Sequence, residues 1–472
     1  MNLKHEYEVG MVGLGVMGRN LLLNMADHGF SVAGYDNDPD KVEALRTEAQ
    51  DRDIYCTGYL REFITCIRRP RAIILLVPAG APVDIVINEM IPYLEKDDLI
   101  IDSGNSYFKD TNLRTIRLKE KNIQFMGMGI SGGEEGARNG ASIMPGGSKR
   151  AYERIQPVLE AVAASVNGEP CVAYLGALSA GHFVKMVHNG IEYGIMQLIA
   201  ETYAFMKQGL GLSDKELHEV YTSWNSTEVN SYLIEITGHI FGQVDEITGK
   251  VLIDEILDVA RQKGTGMWTS QSAMELQVPI PTIDMAVVMR DLSAFDKQRD
   301  KANSIYQKPE SHFEGNREDK FLQLRKAFYV SVILTYAQGF AVLKAASDKY
   351  DYQLDNETIA RIWRGGCIIR AAVLEDIMTA FHTNKDLSGL LLDGHLSQLI
   401  RKNQQDLRKV VSFASEKGIP VPGLMASLSY LDAFSSSWLP ANLIQAQRDY
   451  FGAHTYERID SKGTFHTDWQ KK

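Results

Sequence analysis

Gly13-Leu14-Gly15-Val16-Met17-Gly18 constrains the fold of this chain more than any other stretch. It follows a strand-like run, Glu8–Gly13, and opens a helix-like one, Met17–His28, which Gly29 closes as a helix C′ residue. Gly13 permits the tight turn, Gly15 lets a pyrophosphate come close to the backbone, and Gly18 lets helix and strand pack closely. The helix N-terminus then offers free N–H groups and a partial positive charge to phosphates. Such a unit belongs to a parallel sheet covered on both faces. Ser31–Asp36, Ala72–Val77, Leu99–Asp102 and Ile123–Met128 continue the pattern as short apolar strand candidates between segments of helical spacing.

With 472 residues, the chain is expected to hold two or three domains. Residues 1–176 read as an α/β Rossmann-type, dinucleotide-binding domain. From about Ala177 strand-like runs nearly vanish, and long segments with i, i+3, i+4 apolar spacing follow, such as His182–Lys207 and Phe321–Ser347. Residues 177–433 therefore read as a large all-α domain. Residues 434–472, rich in small and polar side chains, read as an extended C-terminal tail. No convincing internal repeat is visible.

Apolar residues make up 44% of the chain, which excludes wholesale disorder. The formal charge of −10 argues against nucleic acid or an anionic membrane as the main partner. It also means that an anionic ligand needs positive charge gathered locally. Cys56, Cys66, Cys171 and Cys367 lie far apart without metal-ligand spacing, so no metal site or disulfide framework is expected. The N-terminus lacks a signal-peptide layout, and no apolar run approaches the ~18–20 residues of a membrane span. The expectation is a cytoplasmic protein with reduced thiols.

Asp36 ends the second strand candidate, where an acidic side chain accepts hydrogen bonds from the ribose hydroxyls of NAD and repels the 2′-phosphate of NADP. No Lys or Arg follows until Lys41. The expected cofactor-binding set is Gly13, Gly15, Val16, Met17, Gly18, Asp36, Asn37, Val77 and Asn105, with NAD preferred and NADP possible.

A second constellation lies in Lys185-Met186-Val187-His188-Asn189-Gly190-Ile191-Glu192-Tyr193. Lys185, His188, Asn189 and Glu192 stand at i, i+3, i+4 and i+7, so a helix turns all four to one side. Phe183, Met186, Val187 and Ile191 surround that stripe, which makes it a pocket wall rather than a solvated face. Two loops follow strand candidates, Asp102-Ser103-Gly104-Asn105-Ser106 and Ser131-Gly132-Gly133-Glu134-Glu135-Gly136. At the carboxyl ends of parallel strands such loops border the ligand crevice. Positive charge gathers at Lys263-Gly264-Thr265-Gly266, at Arg290, and in the tail at Arg448 and His454. Taken singly, each is more often a surface or ion-paired residue than a ligand.

These residues sit in longer segments: GLGVMGRNLLLNMADHGF, IIDSGNS, ISGGEEGARNG, GHFVKMVHNGIEYG, RQKGTGMWT, WRGGCIIR and LPANLIQAQRDYFGAHTYER. Over essentially its whole length the chain resembles the decarboxylating 6-phosphogluconate dehydrogenase family. The resemblance implies oxidation of 6-phosphogluconate to ribulose 5-phosphate and CO2 in the pentose phosphate pathway or gluconate utilisation. It makes Lys185 the general base and Glu192 the acid that protonates C1 of the enediol. Asn105, Ser131, Gly132, Gly133, His188 and Asn189 would hold the sugar acid. Tyr193, Lys263, Thr265, Arg290, Arg448 and His454 would hold its phosphate, with Arg448 and His454 reaching across a homodimer.

The sequence departs from the family's common NADP-dependent pattern. Gly15 stands for Ala, Asp36-Asn37-Asp38 for Asn-Arg-Thr, and Pro78 and Met267 each for Lys. The changes at 36–38 and 78 remove cations and add acid beside the adenosine ribose. Two other readings compete: a β-hydroxyacid dehydrogenase for another sugar acid, and a non-catalytic NAD-binding sensor.

Overall fold

The computed structural model describes residues 6–306, 313 and 315–471. Seven strands form one sheet: β1 (Val9–Val12), β2 (Val32–Tyr35), β3 (Ile54–Thr57), β4 (Ala72–Leu75), β5 (Leu99–Asp102), β6 (Gln124–Ser131) and β7 (Ser142–Gly147). Their order is β3-β2-β1-β4-β5-β6-β7. β1, β4 and β5 are buried at every residue, as strands covered on both faces must be. The order reverses between β1 and β4, and the crevice at their carboxyl ends is where such sheets bind ligands.

The first six strands are parallel, and β7 runs antiparallel to β6. β3 and β7 both lie outside the five strand candidates. β3 is a half-buried edge strand, and β7 carries Pro145, Gly146 and Gly147, which read as a turn. An edge position tolerates that proline, because one side of the strand has no sheet partner.

The first helix, Val16–Asp27, starts without a side-chain cap and with no acidic residue in its first turn. Its exposed N–H groups are left for a ligand. Gly13 has φ +96°, and a Cβ on Gly18 would lie 1.9 Å from the Gly13 carbonyl oxygen. Nothing lies within 4 Å of a Cβ on Gly15, so packing alone does not demand glycine there.

The Ala180–Ala204 helix is buried along most of its length and lies on the glycine-rich end of the sheet. A Cβ on Gly129 would sit 2.3 Å from Lys185 Cβ, and one on Gly146 would sit 2.3 Å from the Gly181 nitrogen. Its other face meets the 34-residue Arg317–Tyr350 helix, where Gly339 leaves room for Ile191. The Arg317–Tyr350 helix is long and apolar enough to cross a membrane by length and composition, although no run of that kind stood out in the sequence. Its apolar window is 89% buried within the protein, the setting of a core helix. Near the far end of the Ala180–Ala204 helix, Glu201 accepts hydrogen bonds from the backbone N–H groups of Gly423 (2.7 Å) and Leu424 (2.9 Å). It thereby caps the Pro422–Phe434 helix from another element.

The tail is not simply extended. It contains a helix, Ala441–Gly452, and a hairpin pairing Tyr456–Glu457 with Thr464–Phe465. Leu443, Ile444, Tyr450 and Phe451 are exposed in the single chain. They lie two turns apart in pairs, a period too brief to stand out in the sequence.

Candidate active site

Helical geometry gathers the four stripe residues, hydrogen-bonding Lys185, His188 and Asn189 and placing Glu192 beside them. Lys185 Nζ donates to Asn189 Oδ1 at 2.8 Å and lies 3.4 Å from His188 Nδ1. His188 Nδ1 is 3.1 Å from Asn189 Oδ1 and 3.8 Å from Glu192 Oε2. Asn189 Oδ1 can only accept, which assigns the imidazole proton to Nδ1. Nε2 then accepts from the Ser131 hydroxyl at 3.1 Å, while Ser131 Oγ accepts from the backbone N–H of Ile368 at 3.3 Å. The chain of donors fixes the imidazole in one tautomer.

Burial sets the protonation of these groups. It lowers the pKa of Lys185 from the ordinary lysine value, against the opposing charge of Glu192. Burial, then the charge of Lys185, keeps His188 neutral and well below its usual range. Burial raises Glu192 above an ordinary carboxyl, against the charges of Lys185 and Arg290. A lysine disposed to lose its proton and a glutamic acid disposed to keep one share a single helix face. That is the pairing of a base with an acid.

The remaining candidates fall into three groups. Arg290 stacks on Tyr193, its guanidinium carbon 3.4 Å from the ring centroid. A Cβ on Gly266 would lie 2.3 Å from the same ring, so the start of the Thr265–Glu275 helix packs against it, with Thr265 buried. Lys263 is exposed beside this helix end. Gly132 caps and Gly133 opens the Gly133–Asn139 helix directly after β6, and Asn105, in the loop after β5, is exposed. Arg448 and His454 are not brought to this group within one chain. Arg448 donates to Gln445 at 3.0 Å, and His454 lies against the Phe451 ring, both within the tail.

The Trp363-Arg364-Gly365-Gly366-Cys367-Ile368 segment was a motif without a role in the sequence. It forms the back wall of the site. Trp363 packs edge-on against His188, and a Cβ on Gly132 would lie 2.5 Å from the Gly366 carbonyl oxygen. Its adjacent glycines, which permit close approach of backbone, were the available signal. Arg114 is a second omission. Buried between the two nucleotide-side loops, it pairs with Asp84 (2.8 Å) and Asp102 (3.3 Å) and donates to the Gly80 carbonyl (3.0 Å).

The dinucleotide crevice is lined by Gly13, Gly15, Val16, Met17, Gly18, Asp36, Asn37 and Val77, together with Lys41, Pro78 and Glu89. Asp36 Oδ2 accepts from the Leu14 N–H (2.8 Å) and Oδ1 from the Asp38 N–H (3.0 Å), leaving acceptor capacity on each oxygen for a ribose. The sequence placed Lys41 outside the turn. The structure folds it back, 3.5 Å from both Asp36 and Asp38. Among the described residues, no group of three or more His, Cys, Asp or Glu is placed to hold a metal ion.

A buried lysine packed on β6, in the same sheet whose β1, β2 and β4 carboxyl ends line a dinucleotide crevice, is the arrangement of a nicotinamide-dependent dehydrogenase. The family model "NAD binding domain of 6-phosphogluconate dehydrogenase" matches residues 8–176, and "6-phosphogluconate dehydrogenase, C-terminal domain" matches residues 181–469. A Bacillus subtilis relative, "6-phosphogluconate dehydrogenase, NADP(+)-dependent, decarboxylating", is 51% identical over 99% of this chain and 100% of its own. A decarboxylating 6-phosphogluconate dehydrogenase of Lactococcus lactis is 48% identical over 98% of each chain. The solved 6-phosphogluconate dehydrogenase of Plasmodium falciparum superimposes with a TM-score of 0.95 at 43% identity, covering 98% of this chain and 100% of that one. The chain belongs to the 6-phosphogluconate dehydrogenase family.

Proposed function

We propose that this chain oxidatively decarboxylates 6-phosphogluconate to ribulose 5-phosphate and CO2. The observation that carries the reading is Lys185 and Glu192 on one buried helix face, with opposite pKa displacements, at the sheet end that forms the dinucleotide crevice. A bound nicotinamide dinucleotide supplies the hydride acceptor. Lys185, without its proton, takes the proton of the substrate 3-hydroxyl. Protonated, it then stands beside the new ketone and stabilises the negative charge that develops as the carboxylate leaves. Glu192 donates the proton that C1 of the enediol requires. His188, Asn189, Ser131, Gly132, Gly133 and Asn105 orient the sugar acid. Tyr193, Arg290, Lys263 and Thr265 face its phosphate, completed by Arg448 and His454 of a second copy in a homodimer. The exposed apolar face of the Ala441–Gly452 helix supports that dimer, since such a face calls for a partner.

The preferred cofactor in this reading is NAD, although the Bacillus subtilis relative is named NADP(+)-dependent. Support comes from the charge at the adenosine end of the crevice. Asp36 and Glu89 line it, and the one lysine there, Lys41, is held by Asp36 and Asp38. A 2′-phosphate would meet acid in place of an unpaired cation.

The test mixes purified protein and 6-phosphogluconate with either NAD or NADP, following nicotinamide reduction and CO2 together. Reduction without CO2 overturns the decarboxylation. An equal or higher kcat/KM with NADP overturns the cofactor preference alone.

A further inference from the structure

From Phe434 to Lys471 one residue is buried, and it is a carboxylate: Asp449, with no exposed surface. Each of its oxygens takes two donors. Oδ1 accepts from the Thr455 N–H (2.9 Å) and His466 Nδ1 (2.8 Å). Oδ2 accepts from the Thr467 N–H (3.0 Å) and Trp469 Nε1 (2.8 Å). One side chain at the end of the Ala441–Gly452 helix therefore ties together the loop that follows it and the last residues of the chain. Burial alone would raise this carboxyl, and the four donors outweigh burial and hold it below the ordinary range.

The loop under this carboxylate is strained. His454 lies between Ala453 at φ 49° and Thr455 at φ 61°, two non-glycine residues in the left-handed region. Such residues persist where surrounding contacts over-determine them, and they gather at functional positions. Here the contacts are the Thr455 N–H on Asp449, the Thr455 carbonyl accepting from Gln445 Nε2, and the Ala453 N–H on the Asp449 carbonyl. The His454 ring folds back over Gly452, where a Cβ would lie 2.7 Å from Nε2. Arg448 immediately precedes Asp449 on the helix.

We infer that Asp449 is the positioning residue of the tail. Its carboxylate clamps the strained loop and the helix end, and so presents His454 and Arg448 in fixed geometry to the phosphate end of the substrate. In a tail with no buried apolar residue among those described, a side chain that joins the helix end, the loop and the last residues is what holds two ligands in register. The inference rests on the assignment of Arg448 and His454 to the substrate phosphate.

The experiment compares full-length Asp449→Asn, Trp469→Phe, Arg448→Ala and His454→Ala with the unmodified protein. Asp449→Asn removes the charge and turns an N–H group toward donors. It is expected to raise KM for 6-phosphogluconate roughly tenfold, the equivalent of one charge-assisted hydrogen bond, with KM for the dinucleotide unchanged. Trp469→Phe deletes one donor and is expected to shift the same KM by about threefold. Limited proteolysis should cut the tail of both faster. A fall in kcat at constant substrate KM would indicate lost folded protein only, and overturns the clamp. If Arg448→Ala and His454→Ala both leave substrate KM unchanged, the parent assignment falls. If they raise it while Asp449→Asn behaves as the unmodified protein, the clamp falls and the assignment stands. Should Asp449→Asn not fold, an unchanged substrate KM in Trp469→Phe overturns the inference.

Discussion

Adding one methyl group at Gly129 tests whether the placement of Lys185 matters. Gly129 lies in β6 under the Ala180–Ala204 helix, and an alanine Cβ there would stand 2.3 Å from Lys185 Cβ and 2.8 Å from its Cγ. Ordinary carbon contact needs about 3.5–4.0 Å, so the two must part by roughly 1.5 Å. Neither side yields easily. Gly129 is paired with Met144 of β7, and the Gly181 carbonyl oxygen lies 3.3 Å from the same point. Overpacking of this kind costs about 1–3 kcal/mol of stability. A base displaced by ~1 Å costs on the order of 10²-fold in rate. Gly129→Ala should therefore stay folded at 25 °C, with kcat lowered about 100-fold and KM for the dinucleotide changed less than about threefold. Circular dichroism and urea melting establish the folded state, and steady-state nicotinamide reduction gives the constants. A well-folded variant with unaltered kcat would refute the claim that the sheet seats the base.

Glu192→Gln removes the acid and, above the pH at which Glu192 ionises, a charge that favours protonated Lys185, so the acid limb of kcat/KM should move to lower pH while kcat falls by roughly 10²–10⁴. A limb that stays or moves up in the pH–rate profile contradicts the coupling. Burial pushes Glu201 up to about 7 from an ordinary 4.5, so the folded chain keeps a proton that the unfolded chain releases between those values. Stability from this group is therefore full below 4.5 and lost as pH rises to about 7, by up to about 3 kcal/mol, and Glu201→Gln should flatten that part of a urea-melt series. Arg71→Met should cost about 3–5 kcal/mol in urea melting, because it leaves Asp98 without the guanidinium of a fully buried ion pair; a loss under 1 kcal/mol would contradict this. Asp36→Ala should lower kcat/KM for NAD about tenfold and raise it for NADP, and a parallel loss with both cofactors would deny Asp36 a part in discrimination.

What could be read without coordinates was local. The Lys185 stripe lies within one helix, where periodicity alone decides which side chains face together, and the glycine turn spans a single strand–helix junction. Contacts made across the chain left no such mark. Ser131 meets His188 from 57 positions away and Ile368 from 237, and neither spacing carries a period. β7 escaped because Pro145 and its glycines are turn formers that an edge strand tolerates, and β3 because it is half-exposed. Lys41 looked remote from the ribose corner until the helix beginning at Pro39 turned it back onto Asp36. Asp449 appeared as one more polar residue in a polar tail, because burial by hydrogen bonds leaves no apolar signature.

Bare backbone under the Ala180–Ala204 helix also decides how the molecule can move. At Gly146 the sheet meets the helix backbone to backbone, and at Gly129 its bare backbone receives the Lys185 stem, so the joint between the nucleotide half and the helical half is riveted rather than hinged. Jaw-like opening of one half against the other would unseat the very lysine that turnover needs. Entry of substrate and escape of product then fall to the open side of the cleft, where Asn105 and Lys263 are exposed, while the reacting groups stay still.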